Sequence, residues 1–394
     1  MKGARSPPRP LFFLRRLRLE GDENMTADSG LEDIIATSTS ICSIEKGVLA
    51  YRGIAIEELA EKALFDEVAY LLLYSKLPTR DELSRFEMAL AEGGRLQPEA
   101  QDFLKNVPTA VMPMDWLRTV VSAMSFWDPD TGDNSVNANM RKAVRMTGMI
   151  TSLVAIFDRL RNGRDPISPK LDKSLAWNFL NMLKGKEPDE DFVKVFDICL
   201  TLHAEHELNA STFAARVTAA TLNDMYSSVT SAIGALKGSL HGGANKRVMR
   251  MLEKINDPAK AEAWVKDALV RKERIMGFGH RVYKNGDPRA KILMKLSEKL
   301  ARKTGETRWY EISCVVDRVV QQEKKLLPNV DFYSASVYHY LGIPTDLFTL
   351  IFACSRIAGW AAHVNEQLGN NRLIRPRAEY TGLWDQRYTP IDQR

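Results

Sequence analysis

Ile54-Ala55-Ile56-Glu57-Glu58-Leu59-Ala60-Glu61-Lys62-Ala63-Leu64-Phe65-Asp66-Glu67-Val68-Ala69-Tyr70-Leu71-Leu72-Leu73-Tyr74 repeats apolar residues at intervals of three and four (Ile56, Leu59, Leu64, Val68, Leu71, Leu72). That spacing turns one face of a 3.6-residue helix toward a core. It predicts a helix over 54–74, with Pro78 closing the connection and Thr79-Arg80-Asp81-Glu82 forming a capping box that opens the next helix. The same pattern recurs over 115–126, 136–160, 171–183, 189–206, 223–236, 246–255, 260–271, 288–302, 308–325 and 333–341, mostly separated by Gly or Pro. Alternating, β-branched signals are confined to a short pair around 41–51, and no fixed-period repeat suggests a solenoid. The expected fold class is all-α.

Composition bounds the rest. A chain of 394 residues with 45% apolar residues, 27% charged residues and seven Trp can bury a sizeable core. Its net charge of +5 is a weak basic excess, not the clustered field that nucleic acid requires, so no nucleic-acid partner is expected. Residues 1–24 hold six Lys/Arg and three acids, and residues 1–28 read as a disordered extension or an upstream start, with Met25 opening an ordinary N-terminus. An Arg-rich targeting segment is the alternative. The apolar run 347–364 reaches spanning length but carries Arg356 and His363, so it reads as a buried helix and no membrane partner is expected. Cys42, Cys199, Cys314 and Cys354 are too far apart for a zinc or disulfide motif and read as core thiols of a cytoplasmic protein. All six histidines (His203, His206, His241, His280, His339, His363) lie after residue 200.

The unusual residues sit in loops. Gly238-Ser239-Leu240-His241-Gly242-Gly243-Ala244-Asn245 lies between two helices; its glycines let backbone approach a ligand, and the following amides favour negative charge. Alone it is also an ordinary turn with an exposed His. Met276-Gly277-Phe278-Gly279-His280 lacks the third glycine of a dinucleotide fingerprint, since Val282 stands there, and no strand precedes it. With Arg281, Lys284 and Arg289 it suits an anionic substrate instead. Asp331, in Pro328-Asn329-Val330-Asp331-Phe332-Tyr333, is either a base or simply a helix N-cap. His203 and His206 are three apart, on one helical face, and so admit a metal pair; the order HExxH is absent and no Cys is near. A carbonyl-directed acid/base site needs a proton acceptor, oxyanion donors and carboxylate-binding cations, for which the chain offers Asp331, then His241 and His280, then Arg289, Arg356 and Arg375.

Taken in order, the segment 202–216, the His-Gly-Gly-Ala-Asn loop, the loop 277–289, Asn329-Val330-Asp331-Phe332-Tyr333, Ser355-Arg356-Ile357-Ala358-Gly359-Trp360 and Arg372-Leu373-Ile374-Arg375-Pro376-Arg377 resemble the citrate synthase family. From about residue 31 to the C-terminus the chain looks like a shorter, bacterial-type member. The resemblance implies a helical homodimer, each subunit having a large domain (29–217 and 327–394) and an inserted smaller domain (218–326) that closes over the first substrate. It implies condensation of acetyl-CoA with oxaloacetate to citrate, with CoA as part of a substrate and with no cofactor or metal. Asp331 would remove the methyl proton, His241 would hydrogen-bond the thioester oxygen, and His280 would polarise the ketone. His206, Arg289, Arg356 and, from the partner subunit, Arg375 would hold oxaloacetate. Asn209 and Ser211 would orient His241, and Met276, Gly277, Gly279 and Lys284 would meet CoA. His203, His339 and His363 match no catalytic role.

Ser239, where relatives commonly have Pro, and Lys324-Lys325-Leu326-Leu327, which replaces a Gly-containing approach, depart from the family pattern. The competing readings are a 2-methylcitrate synthase using propionyl-CoA, a non-catalytic helical assembly protein, and a metal hydrolase built on His203 and His206.

Overall fold

The computed structural model describes residues 34–280, 282–283 and 285–394; the extension expected over 1–28 lies outside them. Sixteen α-helices occur among the described residues, so the all-α expectation holds. They are α1 (Ile56–Lys62), α2 (Phe65–Tyr74), α3 (Arg80–Gly94), α4 (Pro98–Asn106), α5 (Pro113–Ala123), α6 (Val136–Arg161), α7 (Leu175–Lys184) and α8 (Glu190–His203). Then come α9 (Ala210–Ala219), α10 (Met225–Leu236), α11 (Ala244–Ile255), α12 (Pro258–Val270), α13 (Pro288–Thr304), α14 (Arg308–Lys324), α15 (Val330–Tyr340) and α16 (Phe348–Gly369). The expected strand pair gains a third member: β1 (Cys42–Ser43), β2 (Ala50–Tyr51) and β3 (Ile54–Ala55) form an antiparallel sheet in that order.

The stretch 54–74 is not one helix. Ile54 and Ala55 pair as strand, and the helix breaks at Ala63-Leu64. The Leu64 N–H donates to Glu67 Oε2 at 2.7 Å, and the Phe65 N–H donates to Asp197 Oδ2 at 2.8 Å, a partner 132 residues away. These acceptors satisfy amides that a continuous helix would have bonded internally, so a new helix starts at Phe65. The capping box at Thr79 is present: the Thr79 N–H donates to Glu82 Oε2 at 2.9 Å and the Glu82 N–H to Thr79 Oγ1 at 3.3 Å.

Residues Thr39–Ile374 form one compact unit built around α16, which packs against α2, α5, α6, α8, α9, α10 and α11. Thr345–Gly369 is long and apolar enough to cross a membrane, but 94% of its most apolar stretch is buried inside the protein. It is a core helix, and Ile351, Ile357 and Trp360 on it have no exposed surface. Burial of each such aliphatic side chain contributes about 1.5–3 kcal/mol, and the same helix carries the buried Arg356 and His363. The second unit comprises Arg375–Arg394 with 34–38 among the described residues. It carries exposed Tyr380, Leu383, Trp384, Tyr388 and Ile391.

Candidate active site

The corner between α8 and α9 supplies the first part of the site. The helix expected to run to 206 ends at His203, so His203 and His206 do not share a helical face. The cause is local: the His206 N–H donates to Glu205 Oε1 at 2.6 Å, Glu207 takes a φ of 50°, and Asn209 Oδ1 caps α9 by accepting the Thr212 N–H at 3.2 Å. The His203 Nδ1–H donates to the Cys199 carbonyl at 2.8 Å, and burial pushes its pKa down to about 3, which makes it a neutral core residue. His206 Nε2 lies 3.1 Å from the Tyr283 hydroxyl. Burial, then the Arg289 and Arg356 charges, hold the His206 pKa well below the ordinary range.

His241 stands in the turn between α10 and α11. Gly242 beside it is obligatory, since a Cβ there would strike the Leu236 carbonyl O. Its Nε2 is 2.7 Å from Ser211 Oγ and accepts the Ser211 backbone N–H at 3.3 Å. A backbone N–H can only donate, so we assign the ring proton to Nδ1, the nitrogen left for a ligand. With Nε2 unprotonated, the one Ser211 hydroxyl proton points to it; Ser211 Oγ also lies 2.7 Å from Asn209 Oδ1 and accepts the Trp360 Nε1–H at 3.1 Å. Burial, followed by Arg356, pushes the His241 pKa down to about 4, so the ring is neutral at pH 7.

The His280 loop and the start of α15 are zipped together. The Gly279 N–H donates to the Leu327 carbonyl, the Asn329 N–H to the Gly277 carbonyl and Asn329 Nδ2 to the Gly279 carbonyl, each at 2.9 Å. Gly277 permits this with a φ of 84°, and a Cβ there would sit 2.9 Å from Phe332 Cβ. His280 Nδ1 accepts the Val282 N–H at 3.1 Å and the Tyr283 N–H at 3.4 Å, which places its proton on Nε2. Its ring centroid is 5.1 Å from that of His206 and 4.6 Å from that of Tyr283. Burial and then Arg289 push its pKa down to about 4.

Asp331 is not the cap of its helix. Asn329 Oδ1 accepts the Asp331 N–H at 3.0 Å, so the Asp331 carboxyl, at the second position of α15, is not spent on capping and meets the Asn245 backbone N–H instead. Burial pushes its pKa up to about 6 against the pull of Arg289.

Two buried guanidiniums lie among these groups. Arg289 at the start of α13 grips Asp287 through Nε (2.9 Å) and Nη2 (2.8 Å), and Arg356 on α16 donates from Nε to the His203 carbonyl at 2.7 Å. Arg356 lies 4.6 Å from the centre of the Phe352 ring, which is also in edge contact with His241 at 6.4 Å. Among the described residues Arg356 has no ion-pair partner within 4 Å. Arg375 belongs to the second unit, where it is exposed. Lys284 lies outside the described residues, while Met276 is half-buried beside the zipped glycines.

The arrangement also contains residues that sequence reading passed over. Tyr283 lay inside the motif loop 277–289 without a role of its own, and Phe352 carried no motif. Asp287 was legible as a helix cap before Pro288, but not as the partner of Arg289. Glu205 is fully buried, and its Oε2, beside Gly359, has no hydrogen-bond partner among the described residues. His363 is buried too, 3.4 Å from Glu205 Oε1, and its Nδ1 accepts from Arg216 at 2.9 Å, so it is a core residue rather than a surface one. Chemically, the site offers one raised carboxyl, two neutral imidazoles with donor N–H groups, and two guanidiniums. That set can remove a weakly acidic proton and hold a dianion.

The family sequence model described as "Citrate synthase, C-terminal domain" matches residues 30–377. The chain is 50% identical over 371 residues to "Citrate synthase 2" of Bacillus subtilis (strain 168), covering 94% of this chain and 100% of that protein. It is 42% identical over 360 residues to the "2-methylcitrate synthase" of Shewanella oneidensis, covering 91% and 95%. Among solved structures, the citrate synthase of Pyrobaculum aerophilum superposes with a TM-score of 0.86 at 41% identity, covering 93% of this chain and 95% of that one. The citrate synthase of Thermoplasma acidophilum, solved as a ternary complex with carboxymethyl coenzyme A and oxaloacetate, superposes with a TM-score of 0.87 at 35% identity, covering 93% of this chain and 99% of that one.

Proposed function

Because this chain belongs to the citrate synthase family, we propose that it condenses acetyl-CoA with oxaloacetate and water to give citrate and CoA. What supports the reading is a raised carboxyl, Asp331, and a neutral imidazole, His280, that both feel the Arg289 and Asp287 charges, together with a second neutral imidazole, His241, that feels Arg356.

Asp331 takes a proton from the acetyl methyl while the His241 Nδ1–H donates to the thioester oxygen, so that an enol or enolate forms without free negative charge. An ordinary Asp, with a pKa of about 4, is far too weak a base for this carbon acid unaided. Burial of Asp331 and the His241 donor therefore act together. The nucleophilic carbon then attacks the ketone of oxaloacetate, whose oxygen takes the proton of His280 Nε2 as the C–C bond forms. Hydrolysis of the citryl-CoA thioester releases CoA and makes the sequence irreversible. Arg289, Arg356 and His206 hold the oxaloacetate carboxylates, with a planar guanidinium gripping each carboxylate through two N–H groups. Asn209 and Ser211 set the orientation of His241.

The finer assignments belong to the same proposal. Met276, Gly277, Gly279 and Lys284 meet CoA, and residues 218–326 close as a small domain on the large one (29–217 and 327–394), excluding water. The working form is a cytoplasmic homodimer with Arg375 reaching the partner's site. The exposed Tyr380, Leu383, Trp384, Tyr388 and Ile391 of the same segment support a partner surface for it. The chemistry needs no metal.

The substrate choice is tested by comparing kcat/KM for acetyl-CoA and propionyl-CoA with saturating oxaloacetate. One methylene in a pocket is worth about 1–3 kcal/mol, or roughly 10- to 200-fold. Acetyl-CoA is expected to be preferred by about tenfold or more; a propionyl preference of that size would make the protein a 2-methylcitrate synthase.

A further inference from the structure

We propose that Asp287 is a positioning residue that ties the substrate-binding guanidinium of Arg289 to the turn carrying Asp331, so that occupancy of one end of the site fixes the geometry of the other. This rests on the citrate synthase reading of the site.

The geometry is specific. Asp287 is buried and its carboxylate accepts four N–H groups. Oδ1 takes the Arg289 backbone N–H at 3.0 Å and Arg289 Nε at 2.9 Å. Oδ2 takes Arg289 Nη2 at 2.8 Å and, across the chain, the Val330 N–H at 3.0 Å. Val330 is the first residue of α15 and immediately precedes Asp331. One carboxylate thus caps α13, grips one edge of the guanidinium and holds the first turn of the helix bearing the base. Held on Nε and one Nη2 proton, the guanidinium keeps its outer edge, the second Nη2 proton and Nη1 with its one long bond of 3.5 Å to the Leu202 carbonyl, to turn toward a substrate carboxylate. The cap alone would not require this, because an Asn or Ser caps a helix equally well and cannot grip Arg289 along two N–H groups.

Charge adds to geometry. Asp331 faces Asp287 and Arg289 from the α13 side, and the Asn245 N–H and Arg247 from α11; on α15 itself it faces Tyr338. Asp287 faces Arg289 and His280. The Asp287 charge opposes ionisation of Asp331 and offsets the opposite pull of Arg289. Removing that charge leaves Arg289 uncompensated, so the Asp331 pKa falls and the base weakens.

The test is Asp287→Asn in the full-length chain, with circular dichroism as the check on folding. Expected are a rise in KM for oxaloacetate of about tenfold, a fall in kcat of about tenfold or more, and an acidic limb of the kcat/KM profile displaced downward by about one pH unit. A cap acting only structurally would leave the limb where the parent has it. A folded variant with parental KM and an unmoved limb overturns the proposal. If the Asn variant fails to fold, Asp287→Glu decides: it keeps the charge but shifts the carboxylate, so KM should rise with the limb in place, and a parental KM overturns the proposal. A parent chain that makes no citrate would instead overturn the functional reading, before any variant is compared.

Discussion

Asp331→Asn is expected to lower kcat by about a thousandfold while leaving oxaloacetate affinity within about threefold of the parent. The amide has the same shape, and the Asn329 cap that sets this turn does not involve the side chain being changed. What disappears, on the proposed role, is the acceptor for a carbon-bound proton. The parent should show its acidic limb in kcat/KM near the raised Asp331 pKa of about 6. The sign follows from the role: a base works deprotonated, so the rate is level above that pH and falls about tenfold per unit below it. His241 and His280, both held to about 4, stay neutral through that range and do not produce the limb. Steady-state kinetics across pH 5–9, with calorimetry for oxaloacetate binding, checks each part. Turnover within tenfold of the parent would remove Asp331 from the base role.

His241→Ala is expected to cost about 10²- to 10³-fold in kcat, the range seen when one oxyanion donor is removed. Its Nε2 faces Ser211, so Nδ1 is the ring nitrogen left to donate. Because base and donor act on one transition state, the double variant Asp331→Asn/His241→Ala should be little slower than the worse single variant. Full multiplication of the two losses would mean that the residues act in separate steps.

How much of this was legible beforehand varies with the range of the interactions. The helices were readable because apolar periodicity and Gly or Pro punctuation are local signals. The break at Ala63-Leu64 was not, because Phe65 gives its amide to Asp197, a residue from α8. The end of α8 at His203 was hidden for a similar reason: Glu205 and Asn209 capture amides in the corner, whereas periodicity alone continues through His206. In the site, residue types pointed to Asp331, His241, His280 and the arginines, and ordered motifs identified the family. Their convergence could not be read, since it depends on the backbone zipper between 277–279 and 327–329 and on the Asp287 bonds to Arg289 and Val330. The choice between Asp331 as cap and Asp331 as a carboxyl not spent on capping likewise turned on the Asn329 side chain two residues earlier.

The central claim is that this site joins an acetyl carbon to oxaloacetate. The most direct measurement incubates the purified protein with methyl-labelled acetyl-CoA and oxaloacetate in excess chelator and follows both products by NMR and thiol titration. Labelled citrate and free CoA appearing in equal amounts is the predicted result; CoA release without citrate, or no reaction, would contradict it.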